Sequence, residues 1–268
     1  SVYFGRDGRR FGEELDAHLT EVARCGLDGL EPTAGSPEDA KRMGEGLRKA
    51  GLEMRSLYVN STLHEREQAH QSIDRILQIA RAAAAHGCRI IVTNPNPIRW
   101  GGTETKNDQQ LRTQARALNV LGTELHDLGL QLAYHNHDIE LRHAAREFHH
   151  MMVATDPRFV RLCLDAHWIY RGSGNSQVAL FDVVELYGDR VTELHVRQSH
   201  HGIWSEVFTA KDDIDYPRLV AALVRKRAKP LVVLEQAVES GTPKTMRAGE
   251  ALSRSAEEAR RVFAPFAA

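Results

Sequence analysis

His135, Asp165, His195 and Glu235 each stand where a short apolar run turns polar. The stretch "LAYHNHDIEL" does this most abruptly, placing His135, Asn136, His137, Asp138 and Glu140 directly behind an apolar segment. "FVRLCLD" ends on Asp165, "VTELHVR" carries His195, and "PLVVLEQ" carries Glu235. Two imidazoles and two carboxylates suit a borderline or hard divalent cation, manganese foremost, with zinc, cobalt, iron and magnesium also suited. The set contains no thiolate, unlike many closed structural zinc centres. A charged group at the end of a buried strand is costly unless paired or metal-bound. Four such groups on successive apolar runs therefore point to one shared site.

Such residues need a scaffold that brings strand ends together. Short apolar runs alternate with longer amphipathic ones along all 268 residues. Helices are expected near Gly12–Cys25, over "SPEDAKRMGEGLRKAG" with Ser36 as N-cap and Pro37 in the first turn, and over "REQAHQSIDRILQIARAAAAHG". Further helices are expected over Asp108–Leu128, Ala144–Ala154, Gln177–Tyr187, from Tyr216, and over Met246–Phe263. Strands are expected at "VYF", "LDGLEP" ending in Glu31, "LEMRSLYV", "CRIIVTNP", "LQLAYH", "FVRLCLD", "VTELHVR" and "PLVVLEQ". Their near-continuous apolar character fits strands covered on both faces. The pattern specifies an α/β fold, a single (β/α)8 TIM-barrel domain over residues 1–268. In that fold the site lies at the C-terminal ends of the strands, where the four residues fall. No G-x-G-x-x-G follows the first strand, which disfavours a dinucleotide-binding sheet.

Composition narrows the function class. Hydrophobic residues make up 42% and charged residues 26%, and the formal charge is −1. That balance gives no general attraction to nucleic acid or an anionic membrane. No apolar run approaches the roughly 18 residues that a spanning helix needs. Cys25, Cys88 and Cys163 are scattered in apolar stretches and are expected as reduced core thiols of a cytoplasmic protein.

"YHNHDIEL", "LCLDAHW", "ELHVRQ", "DDIDYPRLVAAL" and "LVVLEQ" carry a resemblance to the xylose isomerase-like TIM barrels. This group includes sugar phosphate isomerases and epimerases and inosose dehydratase-like members. The resemblance implies one divalent metal held from four successive strands, with Asp165, His195 and Glu235 at three ligand positions and His135 where a glutamate is usual. It also implies an acid/base pair of two ligand glutamates, of which only Glu235 is a carboxylate here. His137 and Glu140 are the remaining candidates for proton transfer on the opposite side.

A metal that chelates a carbonyl and a neighbouring hydroxyl stabilises an enediolate, and a base beside the α-carbon removes the proton. Return of that proton gives epimerisation or isomerisation; loss of a β-leaving group gives elimination. The expected activity is an isomerase or epimerase of a keto-sugar or related polyol. The alternative is a lyase, either an inosose-type dehydratase or an enzyme expelling an aglycone from an oxidised sugar. Arg197 and Gln198 are placed to meet substrate hydroxyls or a developing oxyanion, and His167 and Trp168 to wall the pocket. "RQSHHGIWSEVF", with Trp204, reads as a substrate-covering loop. The same loop would equally serve a contact in a homo-oligomer. His149 and His150 lie on a helix and read as an outer-face feature. The expected partner is a free sugar or cyclitol, because no phosphate cradle is evident.

Overall fold

The structure is a computed structural model that describes residues 5–9 and 12–267. The expected first strand "VYF" lies outside the described residues. The described residues form two compact units, one of residues 5–9, 12–29, 46–52 and 165–267, the other of 30–45 and 53–164.

The second of these is built from β1 (Ser56–Tyr58), α3 (Arg66–Ala84), β2 (Ile90–Thr93), α4 (Asp108–Asp127), β3 (Gln131–His135), α5 (Arg142–Ala154) and β4 (Val160–Asp165). It is preceded by α1 (Leu15–Arg24) and α2 (Pro37–Lys49) in the chain. Ser36 caps α2 as expected, its Oγ accepting from Asp39 N at 3.1 Å. The strands pair in parallel in chain order, β1 with β2, β2 with β3 and β3 with β4. Strand β2 is buried at every position, as a strand covered on both faces should be. Helix α4 starts with a capping box between Asn107 and Gln110 and buries Leu111, Leu118, Leu121 and Leu125 along one stripe. Gly122 in that stripe permits close approach: a Cβ there would meet Phe159 O at 2.7 Å.

The other unit contains α6 (Ala166–Gly172), α7 (Gln177–Tyr187), β5 (Val191–Val196), β6 (Ser199–His200), β7 (Ile203–Trp204), α8 (Tyr216–Arg225), β8 (Leu231–Leu234) and α9 (Ala248–Phe263). Strands β5 and β8 are parallel, with Val196 beside Leu234. The pairing continues one step through Glu235 N donating to Val196 O at 2.9 Å. Arg197 and Glu235 therefore leave the sheet side by side. Strands β6 and β7 form an antiparallel hairpin turned by His201 (φ 50°) and Gly202 (φ 80°). Two left-handed residues in succession match the twist of a tight hairpin, and glycine takes the second without a Cβ penalty.

Three local expectations change. "LDGLEP" does not form a regular strand among the described residues; Thr33 makes only an isolated bridge to Tyr58. Pro32 lacks an N–H and contributes only its carbonyl, which accepts from Tyr58 N at 2.9 Å. Helix α5 carries left-handed backbone at His143, Ala144 and Ala145, so regular turns begin after them. Helix α6 was not anticipated; it follows β4 directly because the Asp165 carboxylate caps it, accepting from Trp168 N at 2.8 Å. No helix among the described residues is long and apolar enough to cross a membrane.

Candidate functional site

The β5–β8 register explains why His195 and Glu235 meet. His195 lies opposite Val233, and its Nδ1 stands 3.1 Å from Glu235 Oε2. Asp165, at the end of β4, contributes the third group: one ligand atom each from Asp165, His195 and Glu235 lie within 4.8 Å of one another. Arg197 Nη2 donates to Asp165 Oδ2 at 2.6 Å and to Glu235 Oε2 at 2.5 Å. Tyr216 fixes the backbone at this point, its hydroxyl accepting from Arg197 N at 3.2 Å and donating to Arg197 O. Burial pushes the Asp165 carboxyl up to about 6, against the pull of Arg197.

Exposure separates the roles of these groups. Asp165 is fully buried, and the side chain of His195 is 3% exposed, whereas that of Glu235 is 44% exposed. Glu235 is thus the member of the trio that can reach a bound molecule.

Aromatic rings frame the same place. The Arg197 guanidinium lies 5.0 Å from the Trp168 ring and 5.1 Å from the Trp204 ring. Arg171 stacks on Trp204 at 4.8 Å and binds both Glu239 oxygens, while Glu239 Oε1 accepts from Trp204 N at 2.8 Å. This linkage ties the β6–β7 hairpin to the segment after β8. His167 is fully buried, and Ser199 Oγ lies 2.9 Å from its Nε2 and 2.6 Å from Asp213 Oδ2. The serine hydroxyl donates to the carboxylate, so His167 must donate from Nε2, leaving Nδ1 as an acceptor. Burial, with Arg197 and Arg171 nearby, pushes His167 down to about 3, so the ring is neutral.

Gln198 departs from expectation. Its Nε2 donates to Thr209 O and Ile214 O at 3.0 Å each, and its Oε1 accepts from Ser199 N at 3.1 Å and Ile214 N at 3.2 Å. The amide is occupied by backbone, so it braces the loop rather than meeting a substrate.

In the other unit, β3 delivers His135 and His137, whose rings meet edge-on at 4.8 Å. Tyr58 lies edge-on to His135 at 5.6 Å, and Cys163 Sγ is 3.5 Å from its Nδ1. Trp100 packs edge-on against His137 at 5.3 Å. Glu140, expected as a proton carrier, turns inward instead. It is 1% exposed; Oε2 accepts from His137 N at 2.6 Å and Oε1 from Asn94 Nδ2 at 3.1 Å. Asn94 also donates to His135 O at 2.8 Å. Both carboxylate oxygens are engaged, so the group holds the end of β3 in shape.

Burial first, then the charge of Glu147, pushes Glu140 up to about 7, with Lys106 opposing. Folding therefore favours the protonated form. Its contribution to stability is full below about pH 4.5 and is lost as pH rises through about 7. Between about pH 4.5 and about pH 8, wild type should lose on the order of 3 kcal/mol relative to Glu140→Gln in urea melts. Parallel pH profiles for the two proteins would rule this out.

Sequence reading missed Glu193, which is fully buried and lies 3.0 Å from His195 Nε2 through its Oε1. The available signal was spacing: two residues apart on a strand, both side chains share a face.

Comparison with known proteins bears on this geometry. The pattern of the xylose isomerase-like TIM barrel family matches residues 19–261. An inosose dehydratase of Clostridium perfringens is 24% identical over 190 residues, covering 67% of this chain and 62% of that relative's length. The crystal structure of a sugar phosphate isomerase/epimerase from Parabacteroides distasonis superposes with a TM-score of 0.74 at 19% identity, covering 96% of this chain and 90% of that one. A xylose isomerase-like TIM barrel protein from Mycobacterium smegmatis in complex with magnesium gives 0.72 at 14% identity, covering 95% and 89%. At these identities the structures show the fold, which is the α/β TIM barrel expected from the sequence.

Proposed function

Because this chain belongs to the xylose isomerase-like TIM barrel family, we propose that it is a divalent-metal-dependent isomerase or epimerase of a keto-sugar or related polyol. The convergence of Asp165, His195 and Glu235, with only Glu235 reaching outward, carries this reading. Two carboxylates and an imidazole nitrogen form a donor set suited to manganese or magnesium and equally open to zinc, cobalt or iron. His135 is the proposed fourth ligand, on the strength of its position in the family pattern. Bound there, the ion would polarise a substrate carbonyl and a neighbouring hydroxyl, favouring an enediolate.

The chain's own residues supply the rest. Glu235 removes the proton next to the carbonyl, its side chain being 44% exposed. His137 is the proposed second proton carrier, since Glu140 is committed to His137 N and the Asn94 side chain. Arg197 balances the carboxylates and donates toward developing negative charge on the substrate. Trp168 and Trp204 form an aromatic wall suited to a sugar or cyclitol ring, with the buried, neutral His167 packed against both rings from within. The three buried free cysteines support a reducing, cytoplasmic setting.

A lyase reading is favoured by a separate observation, the similarity to an inosose dehydratase. It is favoured further by an imidazole standing where a second carboxylate would return a proton. Incubating the manganese-loaded protein with ketoses and keto-inositols in deuterated water separates the two. Carbon-bound deuterium in a saturated product supports the isomerase or epimerase; an unsaturated or cleaved product supports the lyase. No exchange and no product with any of them would sink both.

A further inference from the structure

Glu193 is a fully buried carboxylate in the middle of β5, a position that ordinarily holds an apolar side chain. Such a group is costly to bury and must be matched by a donor. Its Oε1 lies 3.0 Å from His195 Nε2, while His195 Nδ1 faces Glu235 Oε2 at 3.1 Å. One imidazole is therefore flanked by two carboxylates. A neutral ring has a single N–H and donates to only one of them; the other nitrogen then keeps its lone pair as a ligand atom, beside a Glu235 oxygen that also accepts from Arg197 Nη2 at 2.5 Å.

The two carboxylates are not equivalent. Glu193 is sealed in the barrel strand, and Glu235 is 44% exposed beside Asp165 and Arg197. Burial strengthens the pull of Glu193 on the imidazole proton, because no water competes there. We propose that Glu193 is the positioning residue that keeps the His195 proton on Nε2 and so presents Nδ1, with Glu235 and Asp165, as a donor to the divalent ion. This rests on the metal reading given above. Carboxylates that orient a ligating histidine in this way change metal affinity without touching the metal.

The test uses the full chain with two variants. Glu193→Gln keeps an acceptor oxygen of nearly the same shape; Glu193→Leu removes it. In nitrogen-15 spectra of the metal-free, histidine-labelled protein, wild type should show the His195 proton on Nε2, and Glu193→Leu should move or mix it. In Mn²⁺ titrations followed by electron paramagnetic resonance, Glu193→Leu should bind about 10- to 100-fold more weakly, with Glu193→Gln within about threefold of wild type. A wild-type proton on Nδ1 overturns the proposal, as does undiminished Mn²⁺ affinity in a folded Glu193→Leu. If wild type binds no Mn²⁺ while its tautomer still follows residue 193, the metal reading fails and the Glu193–His195 pairing stands.

Discussion

Glu235→Gln should slow proton exchange on the cognate ketose or keto-inositol by about 10²- to 10⁴-fold, the usual range for removing a positioned general base. The measurement is deuterium incorporation at saturating Mn²⁺, so that weaker metal holding is not mistaken for lost proton transfer. The choice of residue follows from access. Asp165 has Oδ1 bound to Trp168 N and Oδ2 to Arg197 inside a sealed site, and His195 has both nitrogens against carboxylates. Glu235 is the exposed member, with 44% of its side chain accessible. Because glutamine can still accept from Arg197, the variant should fold and melt close to wild type. A variant that exchanges within tenfold of wild type would remove Glu235 from the chemistry.

Arg197→Met should cost about 3–5 kcal/mol of stability in the metal-free protein, because it leaves two acidic groups without their shared cation. Methionine preserves much of the apolar stem between Trp168 and Trp204, so the loss reports charge more than packing. For a chain of this size the melting temperature should fall by on the order of 10 °C. The effect should depend on pH. Asp165 already sits at about 6 with Arg197 beside it, and without that guanidinium its carboxyl rises further. A raised carboxyl favours the folded state while protonated and loses that advantage as pH climbs through its folded value. The deficit should therefore be small in mild acid and grow above neutrality. An equal loss at both ends of that range would mean that packing, not charge, is what Arg197 supplies.

The sequence was most legible where a long amphipathic period or an abrupt polar ending sets the structure. Helix α7 spans Gln177–Tyr187 and α4 spans Asp108–Asp127, at or within a residue of their expected limits. Their apolar stripes and caps are local signals. The candidate site was readable as strand ends because buried strands leave few other reasons for charge. Small elements were hidden. Helix α6 is seven residues long and its "AHWIYRG" reads as a continuation of the preceding apolar run. Its cause is the hydrogen bond that the Asp165 carboxylate accepts from Trp168 N, and the same carboxylate also serves the site. The β6–β7 hairpin has two residues per strand, too few for alternation to register. Glu140 and Gln198 looked like chemistry by type and position. Only three-dimensional hydrogen bonding shows that backbone groups occupy them.

The arrangement of aromatic rings gives the protein a built-in optical probe. The chain has three tryptophans. Trp168 and Trp204 flank the Arg197 guanidinium, and Trp100 lies against the His137 ring. Cations and imidazoles close to an indole alter its ultraviolet emission, and no tryptophan elsewhere dilutes the signal. Intrinsic fluorescence of the unlabelled protein is therefore a readout of its candidate site residues, and ligand titrations can be followed without a chromogenic substrate or an attached dye.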